Sequence, residues 1–374
     1  MEYQKIKTIR NMRTYFKKEF ICLLFAVVAI SSGCKKIFNL PDQKEYLSSN
    51  VNFNNKLLEP IIGRANLIGG FNGDNSTAPI TFEIINARYG DGRPVTDIFT
   101  KQPTYVWTAA YTGLETSIEE IEAKRKLEEH SIFEIRSSGE FILWPSATNE
   151  LLTPRPTDST NYPQDTRFFD VRITNSGGST VIKDIQLRPY RERPYEPSND
   201  FNAFTGGVAP DPKAPNNKNG RDYIRPFLNN VIGEVTDRPL ESNNDRKDVV
   251  VYIRPFTGGT GNSLRFKFLD KDSLAINPAR FGETRWDKIV HGFNMQKTDE
   301  YVQYDVAYPI PLVEISTVYA PGGSRDHAEF RYSRIGFGGL RSTSTFGIDF
   351  ALYKKGDWEI VFHFKTDNPK FKDE

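Results

Sequence analysis

At 374 residues the chain is longer than one core ordinarily serves, and roughly 150 residues per domain suggests two folded units. Its 38% hydrophobic and 26% charged content fits a globular protein, while 13% aromatics with 27 Gly and 23 Pro favours many short strands joined by turns. Residues 1–33 hold six of the 49 basic and two of the 48 acidic side chains, so the rest carries 43 and 46, which excludes the basic excess of nucleic-acid binders.

The first element is a leader over residues 1–33. Its apolar run FICLLFAVVAI, Phe20 to Ile30, is eleven residues long, too short for a span of about 20. Lys5, Lys7, Arg10, Arg13, Lys17 and Lys18 precede it and Ser31, Ser32 and Gly33 follow, the layout of a signal peptide. Met12 is an alternative start, since MRTYFKKEF alone supplies a basic n-region. Cys34, directly after Ser-Ser-Gly, is the expected lipidation residue: the small residues admit a signal peptidase, and the thiol takes a diacylglycerol. Ser31 stands where Leu is usual in such signals, and an ordinary secretory signal beside an incidental cysteine is the alternative. Cys22 is removed with the leader, so no disulfide forms within the mature chain and core burial must stabilise it. Acyl chains contribute about 0.8 kcal/mol per buried methylene, enough together to hold the protein on a membrane without crossing it.

Residues 34–54 read as a tether. The next unit, 55–190, is expected to be an immunoglobulin-like β-sandwich with an inserted helix. PITFEII places Ile80, Phe82 and Ile84 on one face of a strand, and YVW around Trp107 is a second candidate. SIEEIEAKRKLEEH reads as a helix, with Ser117 and Glu120 forming a capping box. FEIRSSGEFILW, Phe133 to Trp144, suggests two strands about a Ser-Ser-Gly turn. RFFDVRITNSGGSTVIKDIQL reads as a hairpin turning at Asn175 to Gly178, with Phe169, Val171 and Ile173 inward.

Residues 191–220 are rich in Pro, Gly and Asn and read as a linker. The C-terminal unit, 221–374, is expected to be a jelly-roll-like β-sandwich. YIRPF occurs twice, at Tyr223 to Phe227 and Tyr252 to Phe256, as two strands ending alike at an edge. Val249, Val251 and Ile253 alternate, as do Leu264, Phe266 and Phe268, and Val302, Tyr304 and Val306. FGIDFALYKKGDWEIVFHF reads as a hairpin turning at KKGD. Phe346, Ile348, Phe350 and Leu352 share one face of its first strand; Trp358, Ile360, Phe362 and Phe364 share one face of its second.

No catalytic motif emerges. His130, His291, His327 and His363 have no zinc-ligand spacing, and no nucleophile-elbow G-x-S-x-G occurs, so no metal, cofactor or catalytic residue is assigned. DKDS, Asp270 to Ser273, offers carboxylates to calcium but reads first as a polar turn. Paired carboxylates for glycoside hydrolysis stay open, because geometry alone sets them. Among the aromatics, Trp286, Trp358 and Trp107 read as core, the last sharing a face with Tyr105. Trp144, before Pro145 at a strand end, is the candidate ligand-binding aromatic.

TGLETSIEEIEAKRKLEE, FDVRITNSGG, KFLDKDS, HGFNM, VQYDVAYPIPL and GDWEIVFHFKTDNPKF together resemble an uncharacterised family of outer-membrane lipoproteins of Bacteroidota, over essentially the whole mature chain. The resemblance implies a setting beside starch-utilisation-type glycan uptake systems, with an outer-membrane transporter or other envelope protein as neighbour. It brings no catalytic or ligand residues. Lys35 and Lys36, with no acid until Asp42, leave open whether the anchored protein faces the cell surface or the periplasm. The expected function is non-catalytic binding of a polysaccharide or oligosaccharide. The alternatives are a structural or assembly lipoprotein that binds another envelope protein, and a carbohydrate-active enzyme on a β-sandwich frame.

Overall fold

The computed structural model describes residues 44–154, 166–336 and 338–372. The leader, Cys34 and the tether up to residue 43 lie outside the described residues. No helix among the described residues is long and apolar enough to cross a membrane. Among the described residues the fold is mainly β, with several sheets, no closed barrel, two large clusters of buried apolar side chains and a third, smaller one.

The first sandwich begins earlier than the tether reading implies, because Val51 and Phe53 already lie in its core. One sheet orders Leu57–Leu58, Gly178–Leu187, Arg167–Asn175 and Thr81–Tyr89; the other orders Asn66–Ile68, Phe141–Leu143 and Phe133–Ile135. Asn175 pairs with Gly178 across the expected turn. Phe169 projects from the first sheet onto Phe133 and Phe141 of the second, with ring centroids 5.6 and 5.5 Å away.

The second sandwich faces a five-stranded sheet, ordered Val249–Pro255, Trp358–Phe364, Ser263–Leu269, Tyr301–Val306 and Gly292–Lys297, against strands gathered on Arg341–Leu352. Asp326–Ile335 pairs with Arg341–Leu352 along most of its length. The expected hairpin at KKGD is instead an arch. Arg341–Leu352 and Trp358–Phe364 do not pair; they lie in opposite sheets and turn their apolar faces to each other, Phe346 meeting Phe362 at 5.4 Å. Alternation fixes which side chains point inward, not whether two strands meet edge to edge or face to face. Gly347 sits where strands crowd most closely: a Cβ there would lie 1.9 Å from the Ala328 carbonyl oxygen and 2.6 Å from the Phe227 ring.

The stretch read as a linker lies on this second sandwich. Tyr195–Glu196 pairs with Ala351 and Leu352, and Asn202 accepts the amides of Phe204 and Thr205 in a local turn. Arg64 of the first sandwich bonds Glu196 at 3.2 Å and lies 3.8 Å over the Tyr353 ring. Ile224 bridges antiparallel to Val251 and Tyr223 meets Tyr252 at 6.0 Å, so the two YIRPF copies touch at their first residues and run in opposite directions.

The predicted 117–130 helix is mostly a strand. Ser117 caps Ile118–Glu122 by accepting from the Glu120 amide, but the helix stops there and Arg125–Ser131 pairs antiparallel with Lys101–Trp107. So short a helix has little stability of its own, and the ladder with the neighbouring strand outweighs helical propensity. The resulting two-stranded ribbon leans on the second sandwich through Tyr111, Ile121, Ala307 and Leu312.

Candidate functional site

Alternation along the ribbon places Pro103, Tyr105 and Trp107 on one face, with Leu127 opposite Tyr105 and Arg125 opposite Trp107. This face forms one wall of a cleft of about 320 Å³ whose other wall includes Val306, Tyr308, Leu312, Tyr353 and Lys355, within the size range of small-ligand sites. Tyr105 is 46% and Leu127 58% exposed, so the apolar wall opens to solvent.

Arg125 braces that wall. Its guanidinium lies 4.2 Å from the Tyr105 ring centroid and 5.7 Å from that of Trp107. Nη1 donates to the Tyr308 carbonyl at 2.7 Å and Nε to the Glu122 carboxylate at 3.0 Å. A single side chain therefore orients two aromatics and ties the ribbon to the facing sandwich.

Beyond Trp107 the junction closes on a buried polar cluster. The Glu115 carbonyl can only accept, so His291 Nε2 carries the proton shared with it at 2.8 Å, and in the neutral ring Nδ1 accepts from the Tyr111 hydroxyl at 2.6 Å. Burial, then the Asp326 and Glu115 carboxylates, push the Tyr111 pKa up and keep it a donor. The His291 ring also stacks on Tyr319 at 4.7 Å. The Glu115 carboxylate, its side chain 0% exposed, accepts from the Thr112 and Gly113 amides, each at 2.9 Å, and from Lys124 Nζ at 2.5 Å.

Asp326, only 3% exposed, stands beside this cluster. Burial pushes its pKa up to about 7, opposed by the His291 backbone amide. An acid whose folded pKa is raised costs stability as pH climbs above its ordinary value, and the cost is complete above about 7. Asp326→Asn is thus expected to stabilise the protein at pH 8 by up to about 4 kcal/mol, with the gain shrinking toward pH 4. Urea unfolding at both pH values measures it; equal midpoints for variant and parent at pH 8 would contradict the assignment.

The residues singled out from sequence are dispersed. Trp144 is half-buried and packs on His130 at 4.7 Å, with its indole Nε1 buried and without a hydrogen-bond partner; its neighbours Pro145 and Ser146 line the cleft. Trp286 packs on the second core with Lys297 over its ring at 4.8 Å, and Trp358 is buried. Trp107 is the exception to the core reading, since it lines the cleft with Tyr105. His327 pairs with Asp349 at 2.6 Å and His130 with Glu134 at 3.0 Å, apart from His291. Asp270 Oδ1 accepts the Asp272 and Leu274 amides, so DKDS forms a turn. Among the described residues no group of His, Cys, Asp and Glu is placed to hold a metal ion.

A family described as a domain of unknown function, DUF5007, matches residues 71–373. No curated protein matches the chain.

Proposed function

The chain belongs to the DUF5007 family, and from there we propose that it is a membrane-anchored, non-catalytic lipoprotein that captures glycan in the cleft between ribbon and second sandwich. The observation that carries the reading is the open face of Tyr105 and Trp107. Sugar rings present flat C–H faces that bury well against aromatic rings, while their hydroxyls need fixed polar partners. Asn262, Glu122 and Lys355 stand at the same cleft. Cys34 supplies the anchor, the first sandwich serves as a spacer, and the setting is the outer membrane of a Bacteroidota-type envelope beside a starch-utilisation-type transporter.

Glycoside hydrolysis uses two carboxyl groups about 5 to 9 Å apart. Glu122 is the one carboxylate among the cleft's described lining residues, and it is paired with Arg125. That favours capture over cleavage.

Tyr105→Ala is expected to weaken glycan retention about tenfold, the effect of removing an aromatic anchor, while leaving the thermal midpoint unchanged because Tyr105 is half-exposed. Retention equal to the parent's would remove the cleft from the account. A second reading, an envelope protein as ligand, draws on Leu114, 80% exposed, and Leu127, 58% exposed, on the same insert. It would be preferred if no polysaccharide were retained and cross-linking through the ribbon trapped a protein.

A further inference from the structure

We propose that the captured glycan is acidic, bearing uronate or sulfate groups, and lies across a second cavity that meets the aromatic cleft at Lys355. The inference rests on the capture reading and adds the ligand's charge and its path.

The second cavity, about 480 Å³, is lined by Arg191, Phe201, Lys354, Asp357 and Trp358 among others, and shares Lys355 with the ribbon cleft. The arch between the two sheets of the second sandwich stands between them. Tyr353 faces the ribbon cleft, Lys354 and Asp357 face the other cavity, and Lys355 borders both. Two joined cavities suit a chain better than a single sugar.

The arch backbone is held from several directions. Trp358 Nε1 donates to the Lys354 carbonyl at 2.9 Å, and the Tyr308 hydroxyl donates to the Gly356 carbonyl at 2.9 Å. Asp357 Oδ1 accepts the amides of Gly261 and Ser263 at 2.8 and 3.0 Å. These contacts present the two lysines without using them.

The charges are unequal. Arg125, Arg191, Lys354 and Lys355 face Glu122, Glu192 and Asp357 across the two cavities. Glu122 is bound by Arg125 and the Asp357 carboxylate is engaged by backbone amides. Arg191 Nε donates to a neutral carbonyl, that of Phe204, at 3.2 Å. Among the described residues neither Lys354 nor Lys355 has an ion-pair or side-chain hydrogen-bond partner. A neutral glycan would leave both ammonium groups unused, whereas an anionic substituent passing the arch would pair with them.

The test measures retention of the mature chain, held in detergent, by gels containing polygalacturonate, chondroitin sulfate, amylose or dextran. The acidic polymers are expected to retain it, and the retention to fall as salt rises from about 50 to 500 mM, since exposed charges are screened over that range. Lys354→Gln with Lys355→Gln should weaken acidic retention about fivefold, and Lys218→Gln, at an exposed lysine that lines neither cavity, should change nothing. Equal losses in Lys218→Gln would reduce the effect to general surface charge and overturn the proposal. Retention by amylose or dextran alone, lost in Tyr105→Ala but indifferent to the arch lysines, would overturn the charge inference and leave capture standing. No retention by any of the four would overturn both.

Discussion

Phe330→Ala is expected to cost about 3–5 kcal/mol of stability, the range for truncating a large core aromatic that the surroundings cannot refill. Phe330 is fully buried and meets Phe268 at 4.8 Å, Phe362 at 5.2 Å, Phe346 at 5.4 Å and Phe266 at 5.6 Å. Those partners come from both sheets of the second sandwich, so removing the ring opens a void between layers that neither sheet can close alone. Denaturant unfolding should show the transition of this sandwich at lower concentration with an unchanged slope. The first sandwich has its own core and should keep its transition. A loss under about 1 kcal/mol would mean the layers collapse onto the gap.

Glu115→Gln should be the second large effect and the one with a pH signature. Burial raises the Glu115 pKa, but the Lys124 ammonium and the hydrogen bonds from Thr112 outweigh it and bring it down to about 2 from 4.5. A depressed folded pKa gives stability that is complete above the unfolded value near 4.5 and disappears as pH falls through about 2. That shift corresponds to about 3 kcal/mol at neutral pH. The variant should therefore unfold much more easily than the parent at pH 7 and about equally near pH 2. Because the Glu115 carbonyl receives His291 and the same loop carries Tyr111, loosening it should also weaken glycan retention. Parallel stability curves from pH 7 to pH 2 would contradict the role assigned to the carboxylate.

Much of the second sandwich was legible in alternation. Phe346, Phe350, Phe362 and Phe364 point inward as a period of two requires. The arch at KKGD was not legible, because edge-to-edge and face-to-face strands share one pattern. The cleft was hidden for a different reason. Tyr105 and Trp107 fall on one face by alternation, but a strong helix-start signal at Ser117 and Glu120 precedes their partner strand and extends a helical pattern through Arg125 and Leu127. Only the ladder between Lys101–Trp107 and Arg125–Ser131 sets those four side chains side by side. A cue did exist: in RKLEEHS, Leu127 is flanked by charged residues as on a half-exposed strand, and it gives little support to a helical apolar face. Trp144 stands directly before Pro145, a signal that marks a strand end without saying which way the ring turns.

The most direct test of glycan capture is retention of the mature chain by a polysaccharide panel, with released reducing sugar assayed in the same samples and Trp107→Ala run beside the parent. Capture predicts retention without sugar release and its loss in the variant. Sugar release by the parent, or retention that survives Trp107→Ala unchanged, would contradict it.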